Sequence, residues 1–427
     1  MSKNFIPTVH KGKAHDSDIF NVQCSKFATI TTSSDGYLKV WKNYLNEGDL
    51  PEDNVQSKFL SKAGLHHTSF LEFTDSETRK NTLFIGSISF AGELFIEKYD
   101  IEKNEFEKYS IDNNLHLKEL LNFVPKDEEE NDTTNSFNNV ILKNSFYLIK
   151  FLPKNLNNKI PVDKLILTTV DSKVIVLDLD YKPNTCTFDV TKVQSLQITE
   201  KSLGFKTLQT NETPFITCLD ASNKLSNVLT LGFNTSNVLI LNLFTLTQLF
   251  NISLISKPIR CVKISNNATL LAISHDLGIN GCVSLYDIET GDYIGDYTNN
   301  SHSSNTNNSE NNSSNTTTHM STCLAIDFNQ TDEYIVTAGL DGVVSVWETI
   351  TRERIGRIKV SCNDIEKNQD ILDKDPVTLE SLSTPGILDV KYIHKNVRGG
   401  LGGAKNEGLV VVALDRGIRW FREAGGI

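Results

Sequence analysis

The sequence predicts an all-β chain folded as a seven-bladed propeller closed by an N-terminal strand. Three observations predict it. Short runs with period-two apolar alternation recur along the whole chain, turn residues punctuate them at short intervals, and one opening pattern is met seven times. That pattern is an apolar residue, two variable residues, a second apolar residue, a polar one and commonly a large apolar one. Ile19–Val22, Ile216–Leu219, Ile259–Val262, Cys323–Ile326 and Ile387–Val390 all follow it.

Taken in order, Phe5–Val9 is a short extended segment standing alone. The first full unit runs from His15 to Trp41. It has alternation through Ile19 and Val22, a run from Phe27 to Thr32, a tight turn at Ser34-Asp35-Gly36, and a third run from Tyr37 to Trp41. His15 stands 26 residues before Trp41 and Asp35 six before it, a spacing that resembles one blade of a WD40-type propeller, about 40–45 residues long. Lys42–Lys62 reads as a polar connection. Similar units follow, and the blades fall at about residues 15–50, 64–100, 144–181, 213–247, 257–298, 319–360 and 386–427. The seventh unit offers three strands where a blade needs four. Phe5–Val9 is therefore expected to supply the outer strand and remove exposed sheet edges. Seven blades of ~43 residues need roughly 300. The excess is placed in four flexible insertions: 126–139 (acidic, Asn-rich), 299–318 (Ser, Asn and Thr), 363–383 (acidic) and 396–408 (Gly-rich). None has the apolar content to order itself.

Composition narrows the function. A hydrophobic fraction of 39% and a charged fraction of 22% suit a soluble globular chain. No apolar run approaches the length of a membrane span, and MSKNFIPTVHKGK lacks the apolar core of a signal peptide. The seven cysteines are odd in number and never form Cys-x-x-Cys, so reduced thiols are expected, not a disulfide framework or zinc site. The net charge of −11, without a visible basic patch, argues against direct nucleic-acid binding. No cofactor is expected.

Several constellations look chemical. His15, Thr31 and Asp35, with Trp41, have the residue types of a nucleophilic triad, but the set recurs as His319, Thr337, Asp341 and Trp347. An active site is built once, so repetition favours a buried hydrogen-bond relay over catalysis. A propeller hydrolase is accordingly the least favoured reading. Gly399–Lys405 has the glycine content of a phosphate loop but lacks its Gly-Lys-Ser/Thr ending. His66-His67 and His275-Asp276 lack a third partner at a metal-ligand spacing.

What remains is a surface. Residues just ahead of each inner strand should line one face of the disc around the central channel. The shared pattern selects Asp18, His67, Ser145, Phe215, Pro258, Thr322 and Gly386, with Ser34, Leu340 and Leu414 from the second loop of their blades. Rigidly held loops of this make-up suit peptide docking. An acidic Asp18 near aromatic Phe215 or Tyr147 would take an Arg-plus-apolar peptide. Packing is the competing role for Phe215 and Tyr147.

The tail DRGIRWFREAGGI, with KAHDSDIF, DGYLKVW, GLHH, LAISHD and PGILDVKY, resembles the WD-repeat subunit of the fungal Ski (superkiller) complex. The likeness spans Lys13 to Ile427 outside the long insertions. It implies a cytoplasmic, non-enzymatic scaffold that assembles with a tetratricopeptide-repeat subunit and a superfamily-two RNA helicase. That assembly feeds messenger RNA to the exosome for 3′-to-5′ decay and restrains double-stranded RNA viruses. It also implies an alternative, a nuclear scaffold binding a meiotic topoisomerase-like protein in double-strand-break formation or acting in chromatin-associated complexes. This sequence departs from the resemblance in its longer Ser/Asn tract, in Thr322, and in Phe421, which stands six residues after Asp415 where other blades place Trp. Trp420 is then expected on the opposite side of the strand.

Overall fold

The structure, a computed structural model, describes residues 3–43, 54–74, 80–107, 145–155, 162–182, 187–204, 213–224, 227–255, 258–298, 317–365, 384–395, 397 and 405–424. Its strands are short and their side chains alternate, so hairpins stack into small antiparallel sheets. After β1 (Phe5–Lys11), blade one is β2 (Ile19–Cys24), β3 (Ala28–Ser33), β4 (Tyr37–Lys42) and β5 (Val55–Phe59). Blade two is β6 (Leu65–Thr74), β7 (Asn81–Ser89), β8 (Leu94–Asp100) and β9 (Glu105–Glu107). Blade three is β10 (Phe146–Leu152), β11 (Asp163–Thr169), β12 (Lys173–Lys182) and β13 (Thr187–Gln197). Blade four is β14 (Ile216–Ser222), β15 (Val228–Phe233), β16 (Asn237–Asn242) and β17 (Gln248–Ser253). Blade five is β18 (Ile259–Ile264), β19 (Leu270–Leu277), β20 (Asn280–Asp287) and β21 (Tyr293–Asp296). Blade six is β22 (Cys323–Phe328), β23 (Tyr334–Gly339), β24 (Val343–Glu348) and β25 (Arg354–Lys359). Blade seven is β26 (Ile387–Ile393), β27 (Gly408–Ala413) and β28 (Ile418–Glu423), and β1 pairs antiparallel with β28 as its fourth strand.

The first strand of each blade neighbours the first strand of the next, and β26 returns to β2, so the ring closes. The apolar core is distributed around it. Seven buried clusters lie one at each interface between successive blades, from Ile30, Leu38, Leu65 and Leu83 between blades one and two to Ile19, Val22, Val410 and Trp420 between seven and one. Closure is reinforced where the chain enters. Lys3 pairs with Glu423 at 3.0 Å and Glu407 at 3.5 Å, and its ammonium lies 3.7 Å from the Tyr334 ring centroid in blade six.

One feature recurs in all seven inner strands and positions everything below. The register slips by one residue after the first position, between Ile19 and Asn21, Leu65 and His67, Phe146 and Leu148, Ile216 and Cys218, Ile259 and Cys261, Cys323 and Ala325, and Ile387 and Asp389. An extra residue in one strand of an antiparallel pair is a β-bulge, which bends the strand and re-aims a side chain. The apolar spacing of three in the opening pattern is its imprint: Ile19 and Val22 are both buried because a bulge lies between them.

The structure also revises boundaries. The segment 42–62, expected to be a connection, holds β5, and β9, β13 and β17 lie beyond the limits of 64–100, 144–181 and 213–247. Insertion 126–139, residues 299–316 and 366–383, and most of 396–404 lie outside the described residues. The ends of these insertions are ordered core, not loop. Thr317 and Thr318 are buried, and the Thr318 hydroxyl donates to the Tyr297 carbonyl at 2.6 Å. Glu407 is buried and accepts from Asn329 at 3.1 Å. Such fixed points have polar side chains, which composition alone groups with the loops.

Candidate docking face and channel

In blade one, the His15 Nδ1 lies 2.9 Å from Asp35 Oδ2, its Nε2 lies 2.8 Å from the Thr31 hydroxyl, and the Trp41 indole N–H donates to that hydroxyl at 2.9 Å. Blade six repeats the geometry. His319 meets Asp341 at 3.1 Å and Thr337 at 2.8 Å, and Trp347 donates to Thr337 at 2.9 Å. Both imidazoles and both hydroxyls are buried. Each hydroxyl is enclosed between an imidazole and an indole, with no approach for a substrate. Burial pushes the Asp35 carboxyl upward, but the His15 imidazole and the N–H groups of Tyr37 and Asp16 outweigh it and hold the pKa at about 2. Burial pushes the His15 pKa down against the pull of Asp35. The turn between β3 and β4 is equally constrained: Gly36 has φ +83°, and a Cβ there would stand 1.9 Å from the Ser61 carbonyl oxygen.

Blade seven solves the same problem differently. Asp415 is ion-paired and doubly hydrogen-bonded to Arg419, four residues on, and Arg419 also donates to the Ser361 carbonyl at 3.2 Å. Arg419 is fully buried. Phe421 joins the blade six–seven cluster. Trp420 turns the other way, into the cluster with Trp41 at a ring separation of 6.0 Å.

On the loop face, the residue ahead of each inner strand is tied by one repeated bond to the end of the second strand or the loop that follows it. Ser34 N–H donates to the Asp18 carbonyl, Phe90 to Gly64, Val170 to Ser145, Asn234 to Phe215, Asp276 to Pro258, Leu340 to Thr322 and Leu414 to Gly386. Asp18, Ser145, Phe215 and Thr322 thus hold equivalent places, with Ser34 and Leu340 in the second ring. His67 does not belong with them. It is the third residue of β6, past the bulge, where it lines the channel and its Nδ1 accepts from the Ile149 N–H at 3.3 Å. Gly64 is the residue equivalent to Asp18; a glycine offers no side chain, so the aromatic pair His66-His67 drew the sequence assignment.

The bulge residues form a third ring at the channel mouth: Phe20, His66, Tyr147, Thr217, Arg260, Leu324 and Leu388. Tyr147 belongs to this ring. It lies in a continuous arc of rings across blades one to four. Phe20 contacts Phe90 at 5.1 Å between centroids, Phe90 contacts His66 at 5.0 Å, His66 contacts Tyr147 at 5.1 Å, and Tyr147 contacts Phe215 at 4.7 Å. Phe90 is 52% exposed. Phe20 and Phe90 escaped sequence reasoning and His66 was weighed there only as a metal ligand, although the three-residue apolar spacing marks the bulge at Phe20 and His66. Burial pushes the His66 pKa down to about 4 and that of His67 to about 3, so both rings are neutral near pH 7.

Deeper in the channel, each inner strand is an edge of its own sheet with N–H groups left over, and channel side chains of the preceding blade accept them. Asn21 accepts from Thr68 N–H at 3.2 Å, Ser69 from Phe151 at 2.9 Å, Asp220 from Ile264 at 2.9 Å, Asp327 from Tyr392 at 2.8 Å and Asp389 from Val22 at 3.0 Å. Three lysines pair with these carboxylates: Lys150 with Asp220 at 2.7 Å, Lys263 with Asp327 at 3.0 Å and Lys391 with Asp389 at 2.6 Å. Burial pushes the Lys263 and Lys391 pKa values down, but the neighbouring aspartates overcome it and hold both ammonium groups charged. Among the described residues no cluster of three or more His, Cys, Asp or Glu side chains is arranged to hold a metal ion.

Residues 312–348, which reach from the entry to blade six through its Trp347, match the family model for the WD domain, G-beta repeat. Over 435 aligned positions the sequence is 34% identical to the antiviral protein SKI8 of Saccharomyces cerevisiae (strain ATCC 204508 / S288c), covering the whole of both chains. The chain belongs to the SKI8 family of WD-repeat proteins. A SKI8-type propeller is a non-catalytic scaffold, and its buried relays are struts within blades, not active sites.

Proposed function

We propose that this SKI8-family propeller is the WD-repeat scaffold of a cytoplasmic Ski complex. In that assembly it docks a tetratricopeptide-repeat subunit and a superfamily-two RNA helicase for exosome-mediated decay and antiviral defence. The observation that carries the docking reading is the ring arc from Phe20 through Phe90, His66 and Tyr147 to Phe215, partly exposed on a rigid loop face beside blade one's Asp18. Aromatic anchors held by a preformed backbone bind peptides at low entropic cost, and a carboxylate at the rim selects a cationic residue. The occupant is a partner segment bearing Arg and a bulky apolar residue. The full-length similarity to a protein named for antiviral action supports the antiviral part of this reading.

The test is a pull-down from cell extract comparing wild type with Asp18→Lys and Phe90→Ala, each checked for an unchanged melting temperature. Recovery of a helicase and a repeat-scaffold protein by wild type, lost in the folded variants, supports both the assignment and the face. Retention by the variants moves the docking site elsewhere. Failure of wild type to recover either partner removes the complex assignment.

A further inference from the structure

The channel is wider at the end opposite the docking face. A cavity of about 180 Å³ opens among the bulge residues, whereas one of about 480 Å³ opens at the far mouth, within the range of ligand pockets. The two meet at the level of Gln23, Ser69, Lys150, Asp220, Lys263 and Lys391. The larger mouth has no role in the peptide-docking reading.

Its electrostatics run against the rest of the molecule. The chain carries a net charge of −11, yet five lysines, Lys26, Lys150, Lys224, Lys263 and Lys391, line this mouth against Glu72, Asp220 and Asp327. The opposing carboxylates are already engaged, Glu72 by the Lys26 N–H at 2.8 Å. Asp220 and Asp327 each give one oxygen to an amide of the next blade and the other to a lysine. Asp389 does the same just above the mouth. Their side chains are 7–10% exposed, whereas the Lys150 and Lys263 side chains are 28% and 24% exposed. The ammonium groups are therefore the wetted members of each pair. An ammonium has three donors, and Lys150 and Lys263 each spend one on a carboxylate. Lys26 and Lys224 stand exposed at the rim.

We propose that the wide mouth of the channel is a binding site for a compact polyphosphate anion. Lys150 and Lys263 contribute spare donors from the lumen and Lys391 chiefly its charge, since its ammonium already donates to Asp389 and to the Val390 carbonyl, while Lys26 and Lys224 close on the anion from the rim. Low-dielectric walls around converging cations focus the field on a small multivalent anion. A single-charge anion would gain little against the neighbouring aspartates, so the site selects for charge density. Its occupation would bridge blades one, three, four, five and seven and so stabilise the ring.

The experiment titrates the full chain with inositol hexakisphosphate and, separately, with inorganic tripolyphosphate, using isothermal titration and thermal melting. Sodium sulfate at matched ionic strength is the control. The expected result is saturable one-to-one binding with a rise in melting temperature that sulfate does not reproduce. Lys26→Glu/Lys224→Glu changes exposed side chains and keeps the backbone N–H of residue 26 that bonds Glu72 in blade two; it should weaken binding by roughly tenfold or more while leaving the unliganded melting temperature nearly unchanged. Lys150→Met should weaken it from inside the lumen. Absence of saturable binding, a shift equal to that of sulfate, or undiminished binding by the rim variant would overturn the proposal. So would tighter binding of a single-stranded RNA oligonucleotide than of either polyphosphate. Docking of protein partners on the opposite face is read separately, so failure here leaves that reading intact.

Discussion

Blades one and seven place an aspartate at the same point of the same turn and satisfy it by different chemistry. Asp35 is held by His15, which passes the bond on to Thr31 and Trp41. In blade seven, Val411 holds the register place of Thr31, and Arg419 holds the place of Lys39. Arg419 reaches back to Asp415 and buries a full charge pair where blade one has a mostly neutral relay. The Lys39 ammonium donates to the Ala14 carbonyl at 2.7 Å instead. The requirement of the fold is thus a satisfied carboxylate in the turn, and the His–Thr–Trp set is one solution. The solutions should differ in what their loss costs.

The largest effect is expected at Arg419. Arg419→Ala leaves Asp415 buried without its counter-ion and should cost about 3–5 kcal/mol of unfolding free energy. The double variant Asp415→Asn/Arg419→Met should recover part of that loss, measured by urea denaturation of all three proteins. A double variant no more stable than Arg419→Ala would mean that the pair is not coupled and would collapse the contrast between the blades.

His15→Leu should cost less, roughly 1–3 kcal/mol, because Asp35 keeps the N–H groups of Asp16 and Tyr37 as donors, whereas Arg419→Ala removes a full counter-ion. His319→Leu should fall in the same range, since the two relays share geometry to within a few tenths of an ångström. A loss at His15 as large as that at Arg419 would show that relay and ion pair are equivalent after all.

The pH response separates the blades further. Burial lowers the pKa values of His15, His66 and His67, the latter two to about 4 and 3. Unfolded histidines bind protons below about 6.5 while these folded ones do not, so their share of stability is complete above that pH. It drains away as pH falls from 6.5 towards 3. Asp35, depressed to about 2, adds a loss confined to the interval between about 4 and 2. Melting temperature should therefore begin to fall near pH 6.5, and His67→Asn should flatten that first slope. An unchanged slope would mean that His67 titrates normally in a wet channel.

The ring of blades was legible because its signals are local. The alternation, the turn residues and the His, Asp and Trp spacing lie within about 40 residues of one another, and β1 followed from counting strands. The bulges were legible in principle: an apolar spacing of three, as at Ile19 and Val22, fits neither a regular strand nor a helix. What sequence could not show is which side chains meet across blades. His66 meets Tyr147 only because blades two and three converge, and Asp220 finds Ile264 across 44 residues. His67 was assigned to the wrong ring for the same reason. Its register depends on a bulge that one residue of displacement conceals.

The smallest effect on stability belongs to the face itself, and it sharpens the comparison most. Phe90 is 52% exposed, so Phe90→Ala should shift stability by no more than about 0.5 kcal/mol. The same change removes the central ring between Phe20 and His66 and interrupts the arc. Partner recovery in a pull-down should therefore drop while the melting curve stays in place, the reverse of the pattern expected for His15→Leu under conditions where enough folded protein remains. A Phe90→Ala protein that melts several degrees lower would place this residue with the struts. Full partner recovery would take the arc out of the docking site. Relay and face are built on the same turns, so only these opposite outcomes separate what holds a blade together from what it presents.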